Sequence, residues 1–257
     1  MGTRIPIYVL LLSLPSILAQ VALPPRPLGF VYNHGSLEAK VHLDLYIDLI
    51  CPDSRAAYPT IKQVAENLGP SNLRLTVYIF PLPYHQNSFY VSKATFVVHK
   101  LSNGTKTFDW IEKVMLDNLD LLTDGEFHNK SDADLLSMMA PWAESLGLDK
   151  DHFTTLVDRR NRNEFELYPR YMFKYACTRG VAGTATYFIN GFANSVPKAD
   201  WLLSTWMDYL NPLFAPQAFD LMPANVTSIK NAVSMSLVPK FILAASILVL
   251  SKNSLVF

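Results

Sequence analysis

The sequence is short of cysteine and carries no excess of charge of either sign. Its 257 residues include two cysteines, Cys51 and Cys177, so a framework of disulfide bonds is excluded and packing of the core has to hold the fold together. Lysine plus arginine number 22, as do aspartate plus glutamate, and the densest basic stretch is residues 159–162. This balance argues against binding to nucleic acid or to an anionic membrane surface.

Motifs for several common chemistries are also missing. The sequence has no Gly-rich phosphate loop, no Gly-x-Ser-x-Gly nucleophile elbow, and no set of His, Cys, Asp and Glu at metal-ligand spacing. We therefore expect no metal and no tightly bound cofactor. Hydrophobic residues, by contrast, make up 50% of the chain, which predicts a well-filled core rather than disorder. The length allows one sizeable domain plus processing segments.

Residues 1–20 have the layout of a secretory signal peptide. Arg4 is followed by an apolar run and then by a small residue, Ala19, after which cleavage is expected. The alternative is an N-terminal membrane anchor, but Pro15 interrupts a run that is already short for a membrane span. Residues 21–38, which are rich in proline and glycine, are predicted to form an extended lead-in.

The C-terminal segment, residues 232–257, is also apolar and follows a polar linker over residues 216–231. In one interpretation it is a GPI-attachment signal that is removed, with the attachment site near Ser228 or Asn231. In a second it is a single membrane-spanning helix, with Lys240 reaching the membrane surface. A third interpretation makes it a buried terminal helix.

Three glycosylation sequons begin at Asn103, Asn129 and Asn225. Three such sites in polar, turn-like contexts behind a signal peptide predict a glycoprotein of the secretory pathway. The expected location is therefore the lumen of the endoplasmic reticulum, the extracellular space or the cell surface. Membrane attachment through the C-terminal segment is one of these options.

Residues 39–87 are predicted to form a β-α-β unit. Apolar and polar residues alternate over residues 40–49, which is the period of a strand, and Cys51 follows its end. Residues 53–68 then show helical spacing, and residues 73–80 read as a second strand. A right-handed crossover makes these two strands parallel neighbours.

Residues 88–180 show no convincing strand and are predicted to form a helical insertion. The expected helices cover residues 91–101, 107–121, 132–146, 152–157 and 163–178. Residues 181–215 then return to a β-β-α pattern. The expected strands cover residues 184–190 and 192–196, and the expected closing helix covers residues 198–210.

Cys51 lies where the first strand gives way to the helix. Free backbone N–H groups and the positive end of the helix dipole stabilise a thiolate at such a position, which makes the sulfur a nucleophile. Pro52 suits the first helical turn, where no N–H is needed, whereas the negative charge of Asp53 opposes the thiolate. Ser54 stands where a dithiol enzyme has its resolving cysteine, and its hydroxyl can hydrogen-bond the thiolate but cannot displace a mixed disulfide. The alternative is a small buried core cysteine.

The Cys-Pro-Asp-Ser sequence and the downstream segment GVAGTATYFINGF resemble the DsbA-like branch of the thioredoxin superfamily. The resemblance is closer still to small eukaryotic proteins in which CPDS is followed by PLPYH, here residues 81–85, and it covers roughly residues 25–215. It implies an α/β thioredoxin-like fold with an inserted helical domain. It also implies thiol–disulfide chemistry at Cys51, with Thr184, Ala185 and Thr186 as the substrate-binding loop.

Two residues depart from the family pattern. Ser54 replaces the second motif cysteine, and Ala185 occupies the cis-proline position. Because a cis bond before a non-proline residue costs about 3 kcal/mol, we expect the Thr184–Ala185 peptide to be trans. Cys177 is a candidate distant resolving thiol, or else a buried helix-face cysteine, and His85 either lines the same end of the sheet or is structural.

Three functions remain open from the sequence. In the first, Cys51 forms mixed disulfides with protein thiols, or with glutathione as co-substrate, and catalyses single-thiol exchange or isomerisation. In the second, the protein is a glycoprotein that keeps the fold as a binding module without turnover. In the third, it is a glutathione-dependent transferase or isomerase in which Ser54 faces the sulfur.

Overall fold

The computed structural model describes residues 28–119 and 131–215. The predicted signal peptide, the linker, the C-terminal apolar segment and the sequons at Asn129 and Asn225 lie outside these residues. Among the helices in the described part of the chain, none is both long and apolar enough to cross a membrane.

Five strands form one mixed sheet. They are β1 Phe30–Val31, β2 Val41–Ile47, β3 Leu73–Ile79, β4 Thr186–Ile189 and β5 Phe192–Asn194. The order across the sheet is β1-β3-β2-β4-β5. β2 pairs with β3 in parallel and with β4 antiparallel, so the predicted parallel neighbours are confirmed. The C-terminal end of β2, which leads to Cys51, is therefore central in the sheet.

In the described residues, seven α-helices accompany the sheet. They are α1 Pro52–Leu68, α2 Ser88–Leu101, α3 Thr107–Glu112, α4 Asp132–Ser145, α5 Lys150–Val157, α6 Leu167–Thr178 and α7 Leu203–Leu210. Helices α2 to α6 come between β3 and β4 in the chain. The chain thus has the thioredoxin-like α/β fold with a helical insertion between its two halves.

Helix α1 forms because its apolar residues recur at helical spacing and bury one face. Ala57, Ile61 and Val64 are each at most 2% exposed. The helix continues through Pro59 and ends at Gly69, whose φ of 75° favours glycine. Full burial of a side chain such as that of Ile61 stabilises the fold by about 1.5–3 kcal/mol.

The two faces of the sheet carry different helices. α1 packs against α7, and Tyr187 of β4 has its ring 5.2 Å from that of Trp206 in α7. On the other face, α6 packs against β3, where the ring of Tyr175 stacks on that of Tyr78 at 5.5 Å. The sheet is thus covered on both sides, which leaves its ends as the places where a site can open.

Several predicted boundaries need correction. The lead-in predicted over residues 21–38 contains β1, which pairs antiparallel with β3; two residues are too few for a detectable period. The helix predicted over residues 107–121 changes after Glu112 into a π-helical turn over Lys113–Asp117. The predicted closing helix starts at Leu203 rather than at residue 198, because residues 198–202 form a turn and an extended segment.

Candidate functional site

Cys51 is the N-cap residue of α1 and is 5% exposed. Its carbonyl accepts the first helical hydrogen bond, from Arg55 N–H, and its own N–H donates to the carbonyl of Asp48 at 3.1 Å. The N–H groups of the first helical turn have no acceptor within the helix, and their partial positive charge favours a thiolate next to them. In the structure the thiol makes no cap hydrogen bond with these groups.

The thiol instead faces the loop before β4. Cys51 Sγ lies 3.6 Å from the carbonyl oxygen of Thr184, to which the S–H donates. Thr186 opens β4 opposite Tyr46 of β2, and its hydroxyl donates to the carbonyl of Gly183 at 2.7 Å. The structure therefore brings together the two segments that the sequence singled out, which lie 133 residues apart.

The predicted trans geometry of the Thr184–Ala185 peptide is wrong, because this bond is cis. The preference for trans was inferred from the local cost alone, whereas the surrounding fold sets the isomer here. The hydroxyl oxygen of Thr184 is buried and has no hydrogen-bond partner within residues 28–119 and 131–215. Ala185 packs against the hydrophobic core.

Asp48, three residues before Cys51, is a buried acid that the sequence analysis did not single out. Its side chain is fully buried. One carboxylate oxygen accepts from Ile50 N–H at 3.0 Å and Ser88 Oγ at 2.7 Å. The other accepts from Leu82 N–H at 2.9 Å and His85 Nδ1 at 2.7 Å. Asp48 thereby joins the loop that carries Cys51 to the β3–α2 loop and to the first turn of α2. The signal in the sequence was a carboxylate directly after a buried strand.

The structure places the Ser54 hydroxyl next to the chain before Cys51. This side chain is fully buried, and its Oγ accepts a hydrogen bond from the backbone N–H of Asp48 at 3.2 Å. Within the described ranges no hydrogen bond joins it to Cys51 Sγ, because the chain before Cys51 offers a buried N–H that needs an acceptor. Pro52 and Asp53, in the same turn, are exposed.

The charge of Asp53 lies close to the sheet as well as to the helix end. Burial raises the pKa of Tyr187, and the negative charges of Asp53 and Asp200 add to that effect. The Tyr187 hydroxyl is buried without a hydrogen-bond partner among the residues that the structure describes. An exposed carboxylate thus lies two residues after Cys51 in the chain.

Cys177 is exposed and is not bonded to Cys51. Tyr175, two residues earlier, stacks on Tyr78 in the middle of the sheet, and Arg179, two residues later, donates to the carbonyl of Gly191 at the far end of β4. Because Cys51 lies at the opposite end of β4, the structure does not bring the two thiols together. The alternative of a buried helix-face cysteine is also wrong, since α6 presents this residue to solvent.

His85 does lie at the Cys51 end of the sheet, where it bonds to Asp48. Of the three sequons, only Asn103 falls within the described residues, and it is exposed in the turn after α2. In the same described ranges no group of three or more His, Cys, Asp or Glu residues could hold a metal ion.

Solved structures with a similar fold are thiol–disulfide proteins by description. Protein-disulfide isomerase from Novosphingobium aromaticivorans has a TM-score of 0.55 and 14% identity, covering 73% of this chain and 100% of that one. DsbA2 from Pseudomonas aeruginosa has a TM-score of 0.53 and 15% identity, with 77% and 100% covered. The thiol-disulfide exchange protein α-DsbA2 from Wolbachia pipientis has a TM-score of 0.52 and 18% identity, with 72% and 87% covered.

No protein-family model matches the sequence, and no curated protein matches it. At these identities the structural likeness shows the fold, which is that of DsbA-like thioredoxin proteins. What the site does has to be argued from its own residues.

Proposed function

We propose that this DsbA-like chain is a single-thiol exchange protein of the secretory pathway that acts through Cys51. The observation that carries the proposal is the position of Cys51 Sγ, at the start of a 17-residue helix and 3.6 Å from the carbonyl of Thr184. A helix start favours the thiolate that exchange requires. The Thr184 loop lies beside it and offers backbone to an extended substrate.

The exchange step transfers a disulfide without net oxidation. The Cys51 thiolate attacks one sulfur of a substrate disulfide, a new S–S bond forms to that sulfur, and the other substrate sulfur leaves as a thiolate and takes up a proton. A second thiol, from the same substrate or from glutathione as co-substrate, then attacks the mixed disulfide. Cys51 is released as a thiolate and can start another cycle.

Ser54 makes the mixed disulfide long-lived, because a hydroxyl cannot displace it. The chain also keeps Cys177 away from the site, so its own second thiol is not available nearby. Isomerisation, in which the substrate supplies the resolving thiol, therefore suits this site better than net oxidation. The glutathione-dependent transferase or isomerase, in which Ser54 faces the sulfur, receives no support. Ser54 is fully buried, and its Oγ accepts a hydrogen bond from Asp48 N–H.

The secretory setting rests on the sequence. Thiol exchange is useful in compartments where disulfides persist. The layout of residues 1–20 and the three sequons support such a location. The C-terminal residues 232–257 would then attach it to the membrane through a GPI anchor or a spanning helix. Release from membranes by a phosphatidylinositol-specific phospholipase would support the GPI anchor, and retention would support the spanning helix.

Trapping of disulfide adducts tests the proposal. The protein is mixed with a disulfide-bonded substrate, quenched rapidly with acid and resolved on a non-reducing gel. We expect reducible adducts in wild type and in Cys177→Ser, and none in the double variant Cys51→Ala with Cys177→Ser. Absence of Cys51-dependent adducts would contradict the exchange function and favour the binding module. The Cys177→Ser change is needed because the exposed Cys177 thiol is able to form adducts that do not involve Cys51.

A further inference from the structure

A cavity of about 380 Å³ opens between the β3–α2 loop and α6. Its walls are mostly apolar, and they come from the two prolines of the loop and from the start of α2 and the middle of α6. The apolar lining residues are Pro81, Leu82, Pro83, Phe89 and Phe173. The ring of Phe173 is held by stacking on that of Phe80, with centroids 5.0 Å apart, so this wall is fixed in place.

The charge at the mouth of this cavity has one sign. Arg170 and Lys174 line it, and the described lining residues include no carboxylate. The two cations are four residues apart on α6, which places them on the same face of the helix, where like charges repel. An anion between them would relieve that repulsion.

Arg170 is not engaged by a close partner elsewhere. Its ion pair with Glu166 is 3.9 Å long, and Glu166 itself is held by Lys93 at 2.9 Å. The guanidinium lies 5.9 Å from the centroid of the Phe89 ring, at the edge of the cavity. The cavity therefore offers an apolar surface next to donors for a carboxylate.

The cavity is connected to the reactive thiol through Asp48. His85 and Leu82 line the cavity and both bond to the Asp48 carboxylate, while the Asp48 carbonyl accepts from Cys51 N–H. Since Asp48 and Cys51 are three residues apart, their Cα atoms are separated by at most about 11 Å. That distance is spanned by three to four residues of an extended peptide.

We propose that this cavity binds an acidic and aromatic segment of a protein substrate, about three to four residues from the cysteine that reacts with Cys51. The aromatic side chain would occupy the apolar walls, and the acidic side chain would bond to Arg170 and Lys174. The inference rests on the proposed exchange function and gives it a preferred class of substrate: disulfides flanked by acidic and aromatic residues.

Peptide binding without sulfur chemistry tests the cavity separately. Two fluorescent octapeptides carry serine in place of the reacting cysteine. About three residues from that serine, the acidic peptide has the sequence Phe-Glu-Glu and the basic peptide has Phe-Lys-Lys. Their anisotropy is measured with the full-length Cys51→Ser protein. We expect the acidic peptide to bind at least about tenfold more tightly, with a difference that shrinks as salt is added.

Two double variants identify the cavity as the binding site. Arg170→Gln with Lys174→Gln should weaken binding of the acidic peptide about tenfold, since each lost charge-assisted bond lies at a partly open site. Arg162→Gln with Lys198→Gln removes the same charge from exposed positions outside the cavity and should leave binding unchanged. Equal binding of both peptides, or equal effects of the two double variants, would overturn the proposal.

Failure of this proposal differs from failure of the exchange function. If Cys51 forms adducts with disulfides irrespective of flanking charge, exchange stands and the substrate preference is wrong. If Cys51 forms no adducts but the acidic peptide binds through Arg170 and Lys174, the cavity stands as the site of a binding module. If glutathione displaces both peptides and neither peptide binds more tightly than the other, this would count against a protein substrate in this cavity.

Discussion

Nδ1 of His85 lies 2.7 Å from a carboxylate oxygen of Asp48, which is three residues before Cys51 in the chain. Asp48 is fully buried, whereas 21% of the His85 side chain is exposed. A buried carboxylate is tolerated only when its lone pairs are satisfied, and here four donors satisfy them. The geometry of the reactive loop therefore depends on a cluster of hydrogen bonds that converges on one acid.

Replacing Asp48 with asparagine should destabilise the protein by about 2–3 kcal/mol, because the amide has fewer acceptor sites and leaves at least one buried donor unpaired. Urea unfolding followed by circular dichroism measures the change. Asp53→Asn is the matched control, since that carboxylate is exposed two residues after Cys51, and it should change the free energy of unfolding by about 0.5 kcal/mol or less. Similar free energies for the two variants would show that the Asp48 cluster does not hold the loop.

Ser54→Cys should shorten the life of Cys51 adducts by placing a second thiol in the first turn of α1. It should also cost about 1 kcal/mol of stability, because sulfur accepts the Asp48 N–H more weakly than oxygen. Ser54→Ala removes the same acceptor without adding a thiol and should lose similar stability while its adducts persist. Gels of acid-quenched samples over time give the decay rates. Equal adduct lifetimes in both variants would contradict the role assigned to Ser54.

Glu166→Gln should destabilise the protein by about 3 kcal/mol, and more than Lys93→Met does. Lys93 is fully buried with its ammonium 2.9 Å from Glu166, so neutralising the acid leaves a buried charge without its counter-ion. In Lys93→Met the acid remains, and Glu166, which is 16% exposed, can still form an ion pair with Arg170. Urea titrations of both variants rank the two costs. A larger loss in Lys93→Met would refute this account of the pair.

Asp44→Asn should stabilise the protein at neutral pH. Burial raises the pKa of Asp44, against the opposing charges of Arg179, His42 and Arg74. The folded protein then binds more protons than the unfolded chain above about pH 4, so stability falls as the pH rises through the folded pKa, and the cost is fully present at neutral pH. Unfolding curves at neutral pH and at about pH 3 should show the gain of the variant only at neutral pH. A loss of stability at neutral pH would contradict this.

If the protein passes through the secretory pathway as proposed, Asn103→Gln should remove one glycan from it. Asn103 is exposed in a turn where the hydroxyl of Thr105 donates to the carbonyl of Ser102, so the sequon is accessible at the surface. The comparison is made on gels before and after N-glycosidase treatment, together with N-terminal sequencing, which should begin near Gln20 or Val21. Asn67→Gln, at an exposed asparagine outside any sequon, is the control. A wild-type protein that keeps Met1 and does not shift with the enzyme would rule out the secretory assignment.

Local patterns were enough to predict the frame of the fold. The alternation before Cys51, the helical spacing after it and the apolar run of β3 specify a β-α-β unit whose topology has few alternatives. The meeting of Cys51 with the Thr184 loop could also be predicted, though only through resemblance to a family. No periodicity relates residues that are 133 positions apart.

Asp48 shows what the sequence could not reveal. In the alternating pattern it reads as a residue of the polar face, next to His42 and Asp44. Its burial depends on donors supplied by the β3–α2 loop and by Ser88, whose approach is a tertiary event. The hydrogen bond of Ser54 could not be predicted for the same reason, since its donor is the N–H of Asp48.

The pairing of Phe30–Val31 with β3 has a consequence for association between molecules. Without these two residues, the seven-residue β3 would be an open border of the sheet, with unpaired N–H and C=O groups on which strands of other molecules could assemble. Proteolytic removal of the residues up to Val31 would therefore expose β3 as a template for aggregation. The short strand β1 thus protects the edge of the sheet from pairing with other chains.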